Sequence, residues 1–239
     1  MEINKIDCGI NIIDKIFHIS DIHIRTLKRH TEYRQVFENM FLTIAQEATD
    51  TSICVVTGDI VHSKLDMSPE LINMLTEFFN GFMIPTIVIL GNHDMNLNNM
   101  HRVDALSPIL NVIQNKNIHF IKDNGVFEYG GILFNHMAVD TQPSQYVNGT
   151  NLPDSRYSIA LHHGAVHSAK TDIGYEISNE HVTIDLFEGH NLCLLGDIHK
   201  PNQILQEYHV KDGVKKPLII YPGSTIQQNH GEALDHGIL

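Results

Sequence analysis

The sequence predicts an α/β fold, a four-layer αββα sandwich of two mixed sheets flanked by helices. Three observations predict it. A βαβαβ succession fills the first third of the chain, short strands crowd the second half, and 239 residues at 42% hydrophobic composition suffice for one domain, residues 1–239, with a full core.

Residues 12–19 read as the first strand, and Tyr33, Val36, Phe37, Met40, Phe41, Ile44, Ala45 and Ala48 follow at helical spacing. Residues 53–57 form a second, wholly apolar strand. Ser68-Pro69-Glu70 then supplies an N-cap, a proline at the first helical position and an acid in the first turn of a helix that runs to about Gly81. A third strand over residues 86–90 completes a mainly parallel unit with short connections. From Ile118 onward the strands are shorter, at 118–121, 126–129, 132–135, 157–162, 191–195 and 204–209. The last turns through Lys211-Asp212-Gly213 into 218–221 as a hairpin. Polar stretches rich in Asn, or in Pro and Gly, at 95–102 and 141–154 read as the mobile loops. Gly237-Ile238-Leu239 stops on an apolar run that looks like the start of a strand, so a truncated chain is expected.

A formal charge of −12 excludes a protein that coats nucleic acid through its overall field. No stretch reaches the ~20 apolar residues of a membrane span, and residues 1–14 carry neither a basic leader nor a cleavage site, so a cytoplasmic place with no membrane partner is expected. Cys8, Cys54 and Cys193 are far apart, the last two in strand-like runs; they read as small buried hydrophobes.

The 17 histidines cluster beside Asp and Gly. Asp21-Ile22-His23, Gly58-Asp59, Gly91-Asn92-His93-Asp94, His162-His163-Gly164 and Gly196-Asp197-Ile198-His199 each follow a predicted strand, where α/β folds gather ligands. Asp and His one residue apart point to the same face, so each pair can converge on a metal, and glycines 58, 91 and 196 let the chain turn sharply before them. Any one of these motifs reads equally well as a turn aspartate beside a surface histidine. Five in order, each behind an apolar strand, point to a two-metal cage of mixed O and N ligands, with Asp59 able to bridge.

In these motifs the sequence resembles the calcineurin-like metallophosphoesterase superfamily over nearly the whole chain. The resemblance implies that Asp21, His23, Asp59 and His199 hold one ion and Asp59, Asn92, His162 and Asp197 the other. It implies His93 as proton donor or phosphate contact, oriented by Asp94, and in-line attack on a phosphodiester by a metal-bridging hydroxide. Asp197 departs from the family, which has histidine there; its oxygen favours a harder ion, so two Mn(II) ions are expected, with Mg, Fe or Zn as substitutes. Within the superfamily, Gly58-Asp59-Ile60-Val61-His62, Lys200 after the last ligand, and Tyr221-Pro222-Gly223-Ser224 with Glu232 are similar to the DNA double-strand-break nucleases called Mre eleven in eukaryotes and archaea and SbcD in bacteria, phage and viral relatives included. That resemblance implies a DNA exo- and endonuclease of repair or recombination, found at the nucleoid, in a nucleus or in host cytoplasm. A homodimer, a DNA-capping domain and a segment binding an SbcC-type coiled-coil ABC ATPase would go with it, the last two beyond Leu239. His62, Arg25 and Arg29 are candidate substrate contacts, the arginines lying with Lys28 and Arg34 in a basic cluster. His136, His163, His167 and His181 match no position of the pattern and are read as ordinary. Two rival readings remain: a phosphatase or cyclic-nucleotide phosphodiesterase on the same fold, and a catalytically lapsed scaffold with Asp197 as its first symptom.

Overall fold

The computed structural model describes residues 2–6, 9–209, 215–228, 232 and 236–239. Cys8 and the turn at Lys211-Asp212-Gly213 lie outside them. Among the described residues a smaller sheet holds β2 (Lys15–Ile19), β3 (Ser52–Thr57), β4 (Thr86–Ile89) and β5 (Ile118–Phe120), in that order. The larger sheet runs β1 (Ile3–Lys5), β6 (Gly125–Tyr129), β7 (Ile132–Met137), β8 (Ser158–His163), β9 (Leu192–Gly196), β11 (Lys215–Tyr221), β10 (Gln203–His209). In it β6–β7 and β10–β11 pair antiparallel and the other neighbours parallel.

The continuous apolar runs follow from burial on both faces. All six residues of β3 are buried. Cys54 and Val56 face helices α1 (His30–Glu47) and α2 (Pro69–Asn80), packing with Phe37, Phe78 and Phe79. Ile53 and Val55 face the other sheet and meet Phe134, Ile159, Leu161 and Leu194. The second sheet's outer face carries Ala160, Cys193 and Leu195, covered by Val166, Phe187 and Ile198.

The sandwich is the expected one, with two differences. The smaller sheet is wholly parallel, not mixed. The larger sheet's outer face is covered by loops and short 3₁₀ turns at Pro143–Gln145, Gly149–Asn151 and Ile184–Phe187 instead of long helices. Residues 164–183 lack a helical apolar period and carry Gly164 and Gly174, so a helix there has nothing to bury. The first predicted strand begins three residues late, at Lys15; Ile12 is exposed, and the Asp14 carboxylate instead accepts the Thr49 hydroxyl at 2.8 Å.

Leu239 lies against the free edge of β2, its N–H donating to His18 O at 3.1 Å while His18 N–H donates to Leu239 O at 2.9 Å. Among the described residues no helix is long and apolar enough to cross a membrane.

Candidate metal centre

The motif residues stand at the C-terminal ends of β2, β3, β4, β8 and β9, at one end of the seam between the sheets. The loops after β2 and β3 run side by side, tied by Asp21 N–H to Gly58 O at 3.1 Å, His23 N–H to Asp59 O at 2.9 Å and Ile24 N–H to Ile60 O at 2.8 Å. The Tyr33 hydroxyl, on α1, donates to His23 O at 2.6 Å.

Glycine is needed here for two reasons. Gly58 takes φ +88°; Gly91 and Gly196 have ordinary φ but no room for a Cβ, Gly91 because Asp59 stands against it and Gly196 because of Ser20 Oγ and Thr57 O. The candidate ligands themselves make the turns: Asp21, His23, Asp59 and Asp197 have φ of 53°, 51°, 53° and 92°.

Side-chain donors converge. His23 Nε2 lies 3.1 Å from His199 Nε2, 3.6 Å from Asp59 Oδ2 and 3.8 Å from Asp21 Oδ1, and His199 Nε2 is 3.8 Å from Asp21 Oδ1. Two nitrogens on one tetrahedral ion at ~2.1 Å stand roughly 3.4 Å apart, so the His23–His199 spacing fits shared coordination. On the other side of Asp59, its Oδ2 is 3.3 Å from His163 Nε2, which is 3.8 Å from Asp197 Oδ1. The Asp197 N–H donates to both oxygens of Asp21, at 3.2 and 3.0 Å.

Outer hydrogen bonds set which ring nitrogen is bare, because a carbonyl or carboxylate can only accept. His163 Nδ1–H donates to Thr57 O at 2.6 Å and His199 Nδ1–H to Glu232 Oε1 at 2.9 Å, so in the neutral form of each ring Nε2 carries the lone pair. His163 Nε2 and Asn92 Oδ1 are buried without a hydrogen-bond partner, a costly state that cations relieve. The residues present therefore fit a divalent metal pair.

The buried acids and imidazoles also set one another's protonation. Burial pushes Asp21 up to about 6 and also raises Asp197. Burial acts likewise on Asp59, but His163 and His23 outweigh it and hold that carboxyl well below the usual range. In return Asp59 overcomes the burial of His163 and raises it above an ordinary imidazole. Burial takes His23 down to about 3, which keeps its ring neutral and able to ligate.

Several expected roles are corrected. His162 does not enter the cage: its Nδ1–H donates to Met137 O at 2.7 Å and its ring meets Tyr146 and Phe187 on the outer face. Neighbours on a strand face opposite ways, so His163, read from the sequence as ordinary, takes the cage position. It shares parity with Ile159 and Leu161, a signal legible only once the packing shows that those two face the other sheet.

Asp94 does not orient His93. It accepts N–H bonds from Ile60, Val61 and Gly91, each at 2.9 Å, and so locks the loops after β3 and β4 together; burial, with Asp59, pushes it up to about 7. The His93 ring is held instead by His62 O, 2.8 Å from its Nδ1, and stands edge-on to His23 with centroids 4.8 Å apart. His62 completes a group of three imidazoles with His23 and His93.

The basic cluster is mostly committed elsewhere. Arg29 pairs with Glu32 at 2.6 Å and donates to Gln227 O; Arg34 pairs with Glu77 at 2.7 Å; Arg25 reaches Gln228 O at 3.3 Å. Sequence reasoning missed Lys64, whose ammonium holds Asn92 O at 2.7 Å. In the Tyr221-Pro222-Gly223-Ser224 element, Tyr221 OH donates to Gly164 O at 2.8 Å and accepts from Val166 N at 2.9 Å, bracing the turn behind His163.

Comparison with known proteins bears on this centre. The family model described as calcineurin-like phosphoesterase matches residues 14–201. Protein R555 of Acanthamoeba polyphaga mimivirus, whose name records no activity, is 41% identical over 240 residues, which cover 95% of this chain and 17% of R555. Protein 244L of Invertebrate iridescent virus 6, whose name assigns it provisionally to the phosphoesterases, is 25% identical over 238 residues, 94% of this chain and 74% of 244L. The chain thus spans under a fifth of the first relative and about three quarters of the second.

Proposed function

The chain belongs to the calcineurin-like phosphoesterase family, and on that premise we propose that it is a two-metal phosphodiesterase that cuts DNA, with manganese as its metal. Asp59 carries the reading: one carboxylate oxygen lies 3.6 Å from His23 Nε2 and 3.3 Å from His163 Nε2, between two groups of donors, as a bridging ligand must. Asp21, His23, Asp59 and His199 would hold one ion, and Asp59, Asn92, His163 and Asp197 the other. Four oxygen and three nitrogen donors suit Mn(II).

Two such ions, when bound, would supply an activated water at neutral pH and neutralise charge on the phosphoryl oxygens. The chain's own residues do the rest. His93 in its imidazolium form, with Nδ1–H committed to His62 O, would have the Nε2–H left to give to the departing ester oxygen, leaving the neutral ring. Asp94 keeps His93 and Asp59 in register, since His93 N–H donates to Asp59 Oδ1 at 2.7 Å within the loop that Asp94 pins. The late Tyr221 to Ser224 element and His62 after the bridging aspartate support DNA as the ester.

Manganese-dependent cleavage of labelled single-stranded and blunt duplex DNA tests this. We expect both the cutting and its loss by roughly 10²–10⁴-fold in His93→Ala. A parent that hydrolyses bis-p-nitrophenyl phosphate but leaves DNA whole would make it a small-substrate enzyme on the same fold.

A further inference from the structure

The three imidazoles of the cage differ in what supports them at Nδ1. His163 rests on a backbone carbonyl, Thr57 O at 2.6 Å, and His23 Nδ1 has no hydrogen-bond partner among the described residues. His199 is held by a side-chain acid, with Glu232 Oε1 2.9 Å from its Nδ1 and 33 residues further along the chain.

A carboxylate is costly in that place. Glu232 is only 8% exposed and stands behind a site that already gathers Asp21, Asp59 and Asp197, so without partners its charge would be strongly disfavoured. Its partners are in place. Oε1 takes the His199 N–H, Oε2 takes the Gln228 N–H at 2.6 Å, and Gln227 Nε2 donates to Glu232 O at 3.1 Å. A carboxylate divided in this way cannot turn from one partner without losing the other.

The segment that supplies these contacts is stitched to two of the ligand loops. Ser224 N–H donates to His199 O at 3.1 Å, and Thr225 gives both its N–H, at 3.1 Å, and its hydroxyl, at 2.9 Å, to Ser20 O. Gln228 Nε2 donates to Ile22 O at 3.1 Å, between Asp21 and His23. Arg29 and Arg25 spend their hydrogen bonds on the same segment, at Gln227 O and Gln228 O.

We propose that Glu232 is the positioning residue of the His199 ion. It holds the imidazole in the tautomer and orientation that present Nε2 to the metal, its charge raises the basicity of the ring, and residues 224–228 are the brace that keeps it in place. The inference rests on the two-metal reading above and adds the group on which one of its ligands depends.

The test is calorimetric titration of the metal-free protein with manganese, for the parent, Glu232→Ala, His199→Ala and the double variant. Expected are one of two binding steps weakened by roughly 10–100-fold in Glu232→Ala with the other at its parent value, and no further change when Glu232→Ala is added to His199→Ala. Unchanged steps in Glu232→Ala would overturn the role. So would an equal loss in both steps, or a further loss in the His199→Ala background, since either would mark a general loosening of the fold. A parent that takes up no manganese would sink the two-metal reading and the positioning role together.

Discussion

Asp21, His23, Asp59 and Asp197 occupy left-handed backbone conformations that cost non-glycine residues on the order of 1–3 kcal/mol each. They persist because paired loops hold them through backbone bonds such as Asp21 N–H to Gly58 O. Strain collected at one end of the sheets turns acidic side chains back over the seam. At this scale His163 is the informative residue. The motif shows two adjacent histidines, and the residues before them are apolar on both faces, so the pattern alone does not say which one faces the cleft. Only the second sheet's packing decides it. His163→Ala should lower manganese affinity by roughly 100-fold or more, beyond the loss usual for an outer-shell residue, whereas His162→Ala should stay within about threefold; titration calorimetry reads both. The reverse order would return the ligand role to His162.

At the scale of elements, α2 was the most legible because its start is written locally. Ser68 Oγ accepts the Leu71 N–H at 3.2 Å and donates to Thr26 O at 3.0 Å, with Pro69 opening the helix. Ser68→Ala removes the cap and should cost about 1 kcal/mol in urea unfolding; a loss below about 0.3 kcal/mol would show that the helix is held by its Phe78 and Phe79 face alone. Strands β3, β4, β8 and β9 were likewise readable as apolar runs behind glycine or polar turns. The three-residue β1 and the four-residue helix α3 (Ser107–Leu110) were not, since neither is long enough to display a period and each is held by neighbours distant in sequence. The arginine cluster after β2 shows the converse. Its charges are plain in the sequence, but Glu32, Glu77 and the Gln227 and Gln228 carbonyls that occupy it become partners only through the fold.

Across the whole molecule, the seam between the sheets changes from apolar to polar as it nears the cage. His18, Ser20, Thr57 and His163 form the polar layer, with His18 Nε2 at 2.9 Å from Thr57 Oγ1 and Ser20 Oγ donating to Thr57 O at 3.2 Å. Burial lowers His18 to about 3 and His136, deep in β7, to about 4. Both folded values lie below the ordinary 6.5, so between those limits the unfolded chain binds protons that the folded chain refuses. The share of stability that rests on neutral His18 should therefore be full above about pH 6.5 and be lost as pH drops toward 4 and below, opposite in sign to the raised Asp21 and Asp94 carboxyls, so the parent is compared with His18→Gln: the difference between their urea midpoints should shrink or reverse as pH falls, and a difference constant across that range would contradict it. By itself the sequence determined the class of fold, most of its strands after β1, and the oxygen and nitrogen donors placed behind them, because apolar periods, caps and short motifs are local. The tertiary structure alone decided which neighbouring histidine faces Asp59 and Asp197, what Asp94 holds, which arginines are already paired, and that Glu232 stands behind His199. Each of those depends on which faces of two sheets meet, and that is settled only when segments far apart in the chain bury one another.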